Sequence, residues 1–347
     1  MDPACPRPSG EPCSILKPVE RPYFGGHLKQ CSHCRRKLYA YHSCGNRHCL
    51  PSVKASCTQR WVQLQQERLL PCSYYLLTFT LPQPLRALAL KHPRTVYGAL
   101  LRCAASALQK LAADPRYVGG RLGCLAVRHT WTRALRYHPH VHLLVSAGGL
   151  SADRTQWLSP KNPAFLVPVR ALSVLFRAQL CAALKKAALL PSVPPHIWKK
   201  NWVVHCQHAG RGQKVLAYLG RYLFRVALSN SRLERIDPHQ VTFRFRDNRS
   251  QQMRRLTLTG VEFLRRFLLH VLPSHCAKVR YYGLFSPSCH NQLDQARALL
   301  TATSPASLRL STRLASTPTP EPTRCRFCRL GLLLVIEVLV PQRGIPP

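Results

Sequence analysis

Acidic residues are scarce: 13 aspartates and glutamates face 51 lysines and arginines in 347 residues, a formal charge of +38. A compact chain with that imbalance repels itself, and the natural relief is a polyanion whose phosphates shed condensed counterions as they are neutralised. Nucleic acid is the expected partner. An anionic membrane surface fits less well, because it calls for an amphipathic helix or a lipidation signal. Long apolar runs are also missing. LGLLLVIEVLV at 330–340 is too short to cross a bilayer and carries Glu337, so no membrane span is expected. The opening MDPACPRPSGEPCSILKP has no apolar core flanked by basic residues, which predicts no secretory signal and a soluble, cytoplasmic protein. No internal repeat is found, and no motif speaks to oligomeric state.

Cysteine, by contrast, is plentiful at sixteen. In a reducing compartment that number points to metal binding or plain burial rather than a disulfide scaffold. Composition divides the chain into a short disordered start (1–23), a Cys/His/Arg-rich module (24–66), a stretch of ordinary globular periodicity (67–285) and a Ser/Thr/Pro-rich tail (286–347) read as a linker. Within 67–285, SYYLLTFTLP, GCLAVRHTW, HPHVHLLVS and WVVHCQHA read as strands, and QVTFRFRD with MRRLTLTG as a hairpin. Residues 85–113 (broken before Pro93), 170–190, 213–228 and 261–273 carry helical spacing. Strand-to-strand connections too short for crossovers predict an α+β fold, an antiparallel sheet with helices packed on it.

The most telling stretch is RYHPHVHLLVSAGG at 136–149. Side chains alternate along a strand, so His138, His140 and His142 share a face at steps of about 7 Å, before a Gly-Gly pair predicted to stop the strand. His140–Val141–His142 is the expected metal pair, because Pro139 cannot donate to the ladder, with His138 beside it. His129, on the preceding strand, is the expected third ligand. Such a set leaves open positions on the ion, able to polarise a phosphate. Imidazole suits several divalent metals, so the ligands do not name the ion. A second candidate is VLAYLGRYLFRVALSN, where Tyr218 and Tyr222 lie four apart on one helix face, with Arg221 and Arg225 one turn apart on an adjacent face. A deprotonated phenol near a divalent ion could attack a phosphodiester, and the arginines could pair with phosphates.

Taken in order, HPHVHLLVSAGGLS, VLAYLGRYLFRVALSNSRL, VTFRFRD, EFLRRFLLHVLP and VRYYGLF resemble the rolling-circle transposases of the insertion-sequence-ninety-one kind, members of the His–hydrophobic–His endonuclease superfamily. The likeness runs from about residue 24 to 285. It implies a single-strand DNA endonuclease and strand transferase from a bacterial-type mobile element, associated with the nucleoid and built on a sheet of about five strands. It implies that His140 and His142 hold Mg or Mn, and that Tyr218 or Tyr222 forms a 5′-phosphotyrosine. Its partners would be single-stranded element ends and target DNA.

Upstream, GGHLKQCSHCRRKLYAYHSCGNRHCLPSVKASC has zinc-site spacing. It resembles the zinc-binding domain of the same family. Cys31, Cys34, Cys44 and Cys49 are the expected ligands, with Cys57 or His48 as substitutes, because LPSVK stands where the family has a further cysteine. Arg35, Arg36, Lys37 and Arg47 would then contact DNA backbone. Cys325-x-x-Cys328 resembles half of another zinc ribbon, but no partner pair is evident from the sequence. Two other readings remain open at this point: a decayed copy that binds DNA without cutting it, and a metallohydrolase that uses water in place of tyrosine.

Overall fold

Short β-branched stretches alternate with helix-periodic ones, and a computed structural model of the chain follows that alternation. It describes residues 25–41, 54–162, 165–224, 228, 232–247, 250–270, 276–302, 324–325 and 327–340. A hairpin comes first, β1 (Gly26–Cys31) and β2 (Lys37–Tyr41), then helix α1 (Lys54–Arg68). Strand β3 (Tyr74–Thr80) leads into α2 (Leu85–Lys91) and α3 (Pro93–Ala112). Pro93 separates these two helices because it lacks an N–H for the α2 ladder, yet its fixed φ suits the first turn of α3. Next come β4 (Arg121–Trp131), β5 (Tyr137–Leu150), the short β6 (Trp157–Leu158), α4 (Val169–Lys186), β7 (Val204–His208) and α5 (Gln213–Phe224). They are followed by β8 (Leu233–Ile236), β9 (Gln240–Arg246), β10 (Met253–Thr259) and α6 (Gly260–Leu268). Last are β11 (Val279–Gly283), α7 (His290–Ala302) and β12 (Leu333–Leu339).

The chain forms two compact units, one of residues 60–305 and one of 1–59 with 306–347. In the larger unit an antiparallel sheet runs in the order β11-β4-β5-β3-β7, with β6 added beside β5. The α+β class and five-strand path match the sequence expectation. One face carries Leu77, Phe79, Val141, Leu143 and Val145 against α2, α3 and α4, whose Leu100, Leu108, Phe176 and Leu180 complete a dry core. The other face carries Leu125, Val127 and Leu144 against Leu216, Leu219 and Leu223 of α5. A smaller sheet, β10-β9-β8, packs Phe243 and Leu258 with Leu135 and Phe263. Helix α6 starts at a Thr259 cap whose side chain accepts the Glu262 N–H.

Two expectations differ from the structure. The Gly148–Gly149 pair does not stop the strand, because β5 continues to Leu150. These glycines instead allow close backbone approach: a Cβ on Gly149 would lie 2.6 Å from the Gly120 carbonyl carbon beside β4, and one on Gly148 would lie 2.7 Å from the Leu158 carbonyl oxygen of β6. The stretch from 286 is not all linker either. Residues 290–302 form α7 in the larger unit, and 333–339 form β12, paired with β1 in the smaller one. The first 23 residues lie outside the described residues. Among the described residues, no helix is long and apolar enough to cross a membrane.

Phe79 is fully buried at the sheet–helix boundary, edge-on to Phe176 at a centroid distance of 5.0 Å. Phe79→Ala is expected to cost about 3–5 kcal/mol of unfolding free energy, through lost transfer energy and a cavity. Urea denaturation of the two proteins measures this directly.

Candidate functional site

The register of three neighbouring strands builds the site. His129 stands opposite His140, and Val127 opposite His142, across the β4–β5 ladder. Thr78 of β3 stands opposite His142 from the other side. Directly opposed residues share a face, so these three histidines emerge beneath α5, flanked by the apolar residues that seat it. Their ligating nitrogens all lie within 4.8 Å of one another. Two nitrogens on one ion with bonds of about 2.1 Å are at most about 4.2 Å apart, so small ring movements suffice to close on a cation.

Hydrogen bonds already orient two of the rings. His140 donates from Nδ1 to the His138 carbonyl at 2.7 Å, since a carbonyl can only accept, and this leaves the Nε2 lone pair for a ligand. His142 Nδ1 lies 2.8 Å from Thr78 Oγ1. With the ring donating to that hydroxyl, its Nε2 is likewise presented to the site. Burial, reinforced by the neighbouring His142 and His138, drives the His140 pKa down to about 3, and burial drives that of His142 down to about 4. Both rings are therefore neutral near pH 7, the form that binds metal. His138 stands apart from this trio. It is half-buried, and its Nδ1 accepts a 2.8 Å hydrogen bond from Arg86 Nη2.

Helix α5 sets two phenols over these rings. Leu216, Leu219 and Leu223 bury its apolar side and fix its rotation, which turns Tyr218 and Tyr222 toward the histidines. The Tyr222 ring stacks on His129 with an interplanar angle of 15° and on Trp131 at 4.3 Å. Its hydroxyl accepts the Thr130 N–H at 3.1 Å. Tyr218 is more open, at 42% exposure, with its ring centre 6.1 Å from both His129 and His142. Burial raises the Tyr218 pKa, while the positive charges of Arg133 and Arg221 oppose that rise. Arg221 is exposed on α5, and Arg225 falls outside the described residues.

A second cluster lies in the smaller unit. Cys31 and Cys34, at the turn between β1 and β2, meet Cys325 and Cys328, and the four sulfurs lie within 4.8 Å of one another. The tail pair therefore has a partner that the sequence did not reveal. Backbone amide hydrogen bonds from Gly331 and Leu330 pull the Cys328 thiol down to about 6. Cys44, Cys49, His48 and Arg47 fall outside the described residues, as does the side chain of Cys57 on α1. Arg35, Arg36 and Lys37 are exposed on the β1–β2 turn, and the Arg36 guanidinium lies over the Phe327 ring at 4.6 Å. Thr78, Arg86, Arg133 and Trp131 were missed as site residues. The strand phase of LLTFT marks Thr78, but only pairing with β5 shows which residue it faces.

An imidazole trio beneath a tyrosine helix, with a four-cysteine cluster elsewhere in the chain, suits a DNA-processing protein that carries its own zinc module. Comparison with known proteins makes that class definite. Residues 123–293 match the family described as "Putative transposase", and residues 15–81 match "Transposase zinc-binding domain". Two relatives cover most of the chain. "Putative transposase y4qJ" of Sinorhizobium fredii is 36% identical, over 93% of this chain and 87% of its own length. "Transposase for insertion sequence element IS801" of Pseudomonas savastanoi pv. phaseolicola is 31% identical, over 85% of this chain and 75% of its own length. The chain belongs to this transposase family. Among solved structures, the conjugative relaxase TrwC in complex with OriT DNA overlays with a TM-score of 0.28 and 23% identity. That overlay covers 32% of this chain and 44% of the relaxase chain, less than half its length.

The histidine pKa values have a consequence for stability. His140 and His142 bind protons in the unfolded chain below about pH 6.5, but in the folded protein only near the values of about 3 and about 4. The unfolded state thus takes up more protons as pH falls, and the folded state loses stability from about pH 6.5 toward pH 4, by about 1.4 kcal/mol per unit for each ring. Urea titrations of metal-free protein across this window should show that slope, and His142→Asn should reduce it by about half.

Proposed function

We propose that the chain is a DNA-nicking and strand-transfer transposase that works on single strands through a 5′-phosphotyrosine, in rolling-circle transposition. The observation that carries this reading is one convergence. Three imidazoles whose ligating nitrogens lie within 4.8 Å of one another sit under a phenol whose ring centre is 6.1 Å from two of the rings. Family membership supplies DNA as the substrate class, and the +38 charge suits it.

His129, His140 and His142 would hold a divalent ion, Mg or Mn, which when bound polarises a phosphate oxygen. The remaining chemistry falls to the chain's own residues. Tyr218 is the better first nucleophile, because it is the more exposed phenol and has Arg133 and Arg221 charges beside it. Its oxygen bonds to phosphorus as the phenol gives up its proton, the P–O3′ bond breaks, and a 3′-hydroxyl leaves. A target 3′-hydroxyl then attacks the same phosphorus, breaks the P–O(Tyr218) bond and restores the phenol. Both steps exchange one phosphoester for another, so no nucleotide cofactor is required. Tyr222, stacked and hydrogen-bonded at rest, is suited to packing over His129 and to serving as a second nucleophile once it swings free. Exposed arginines, Arg221 among them, would hold the DNA backbone.

The test uses the full chain, a single-stranded oligonucleotide bearing the element's end, and Mg or Mn. A covalent adduct on a denaturing gel is expected, lost in Tyr218→Phe and retained in Tyr222→Phe. His140→Ala with His142→Ala should abolish cleavage but leave salt-dependent binding. Cleavage that survives loss of both phenols would mean a water-using hydrolase, and binding without any cleavage would mean a DNA-binding protein alone. Thr78→Val should weaken Mn binding by roughly 10–100-fold in calorimetry, and Thr78→Ser should restore it, as expected of a residue that orients a ligand.

A further inference from the structure

The four-cysteine cluster joins segments that are remote in sequence, since Cys34 and Cys325 are 291 residues apart. We propose that one zinc ion is held by Cys31, Cys34, Cys325 and Cys328, so that residues 324–340 are half of the zinc module rather than a degenerate tail. This assignment is independent of the histidine site and of the tyrosine chemistry.

Geometry supports the assignment at each level. A tetrahedral zinc with Zn–S bonds of about 2.3 Å separates its sulfurs by about 3.8 Å. Here Cys31 Sγ lies 3.6 Å from Cys328 Sγ, and Cys34 Sγ lies 3.7 Å from Cys325 Sγ. A disulfide would need about 2.05 Å. The two Cys-x-x-Cys turns are also built alike. The residue after each second cysteine takes a left-handed conformation, Arg35 at φ 56° and Arg329 at φ 59°. Each of these arginines donates its N–H to the carbonyl of the first cysteine, Arg35 to Cys31 at 3.1 Å and Arg329 to Cys325 at 2.9 Å. Non-glycine residues avoid that conformation, and its occurrence at matching positions marks two equivalent metal-binding turns.

Backbone amides point at the sulfurs as well. His33 N and Cys34 N each lie 3.4 Å from Cys31 Sγ, and Gly331 N lies 3.5 Å from Cys328 Sγ. Such donors favour thiolate, the form that binds zinc. Gly331 also has a steric role, since a Cβ there would sit 2.5 Å from Cys31 Sγ. Finally, the unit has little else to hold it. Among its described residues only Leu28, Cys31 and Cys325 are buried apolar groups, while Leu334, Ile336 and Val338 of β12 are exposed. A module with so small a core draws its folding energy largely from the ion.

The decisive experiment uses the unmodified full chain, reduced and loaded with zinc. It is treated with an alkylating agent with and without a chelator, and each cysteine is scored by peptide mass spectrometry. Zinc should protect Cys31, Cys34, Cys325 and Cys328 together. Labelling of Cys325 and Cys328 at the chelator-treated rate, while Cys31 and Cys34 stay protected, would overturn the assignment. In parallel, Cys325→Ser with Cys328→Ser should lower bound zinc by one equivalent per chain in elemental analysis. Unchanged zinc content in that variant would also overturn it. The alkylation map needs no substitution, so it decides the matter even where the double variant fails to fold.

Discussion

The pairing of β4 with β5 is the constraint on which the larger unit rests. Because His129 faces His140 across that ladder while Val127 faces His142, one register places the three imidazoles together and the apolar seat for α5 immediately beside them. A slip of one residue would turn every one of these side chains to the opposite face, into a core already filled by α3 and α4. Site and packing are thus specified by the same hydrogen bonds. The close passage of Gly120 against Gly149 helps to hold that register, since neither strand could shift there without bringing a side chain into the other's backbone.

The two sides of the sheet divide the labour. Behind it, α2, α3 and α4 build an apolar core that holds the strands in place. In front, α5, α7 and the end of α1 cover the apolar rows, and the histidines lie under α5. Arg128 shows how strict the alternation is. It adjoins His129 in sequence but points backward, buried, with its guanidinium 4.3 Å from the Tyr97 ring centre. Burial lowers its pKa, and contact with the Tyr97 ring compensates part of the lost hydration.

Much of this was legible from residue order alone. The period of two in HPHVH announced a shared face, the short connection after HTW announced an antiparallel neighbour, and the four-residue spacing of Tyr218 and Tyr222 announced a common helix side. What stayed hidden was non-local. Thr78 became meaningful only through its pairing with β5, and Arg86 only through its reach to His138. The meeting of the two cysteine turns could not be read from spacing, because ligand-spacing rules describe neighbours in sequence. The Ser/Thr/Pro-rich composition after 286 masked α7, whose sparse apolar residues bury only Ala296 completely.

Strand β1 lies between its hairpin partner β2 on one side and β12 on the other. A ribosome releases β1 and β2 long before it makes β12, so β1 must wait for β12 before its sheet is complete. Until then one margin of β1 offers unsatisfied amides and carbonyls to whatever strand is nearby. Completion of that sheet therefore reports that synthesis has passed residue 339, and a chain that stops between residues 302 and 333 would keep every strand of the imidazole sheet but lack β12.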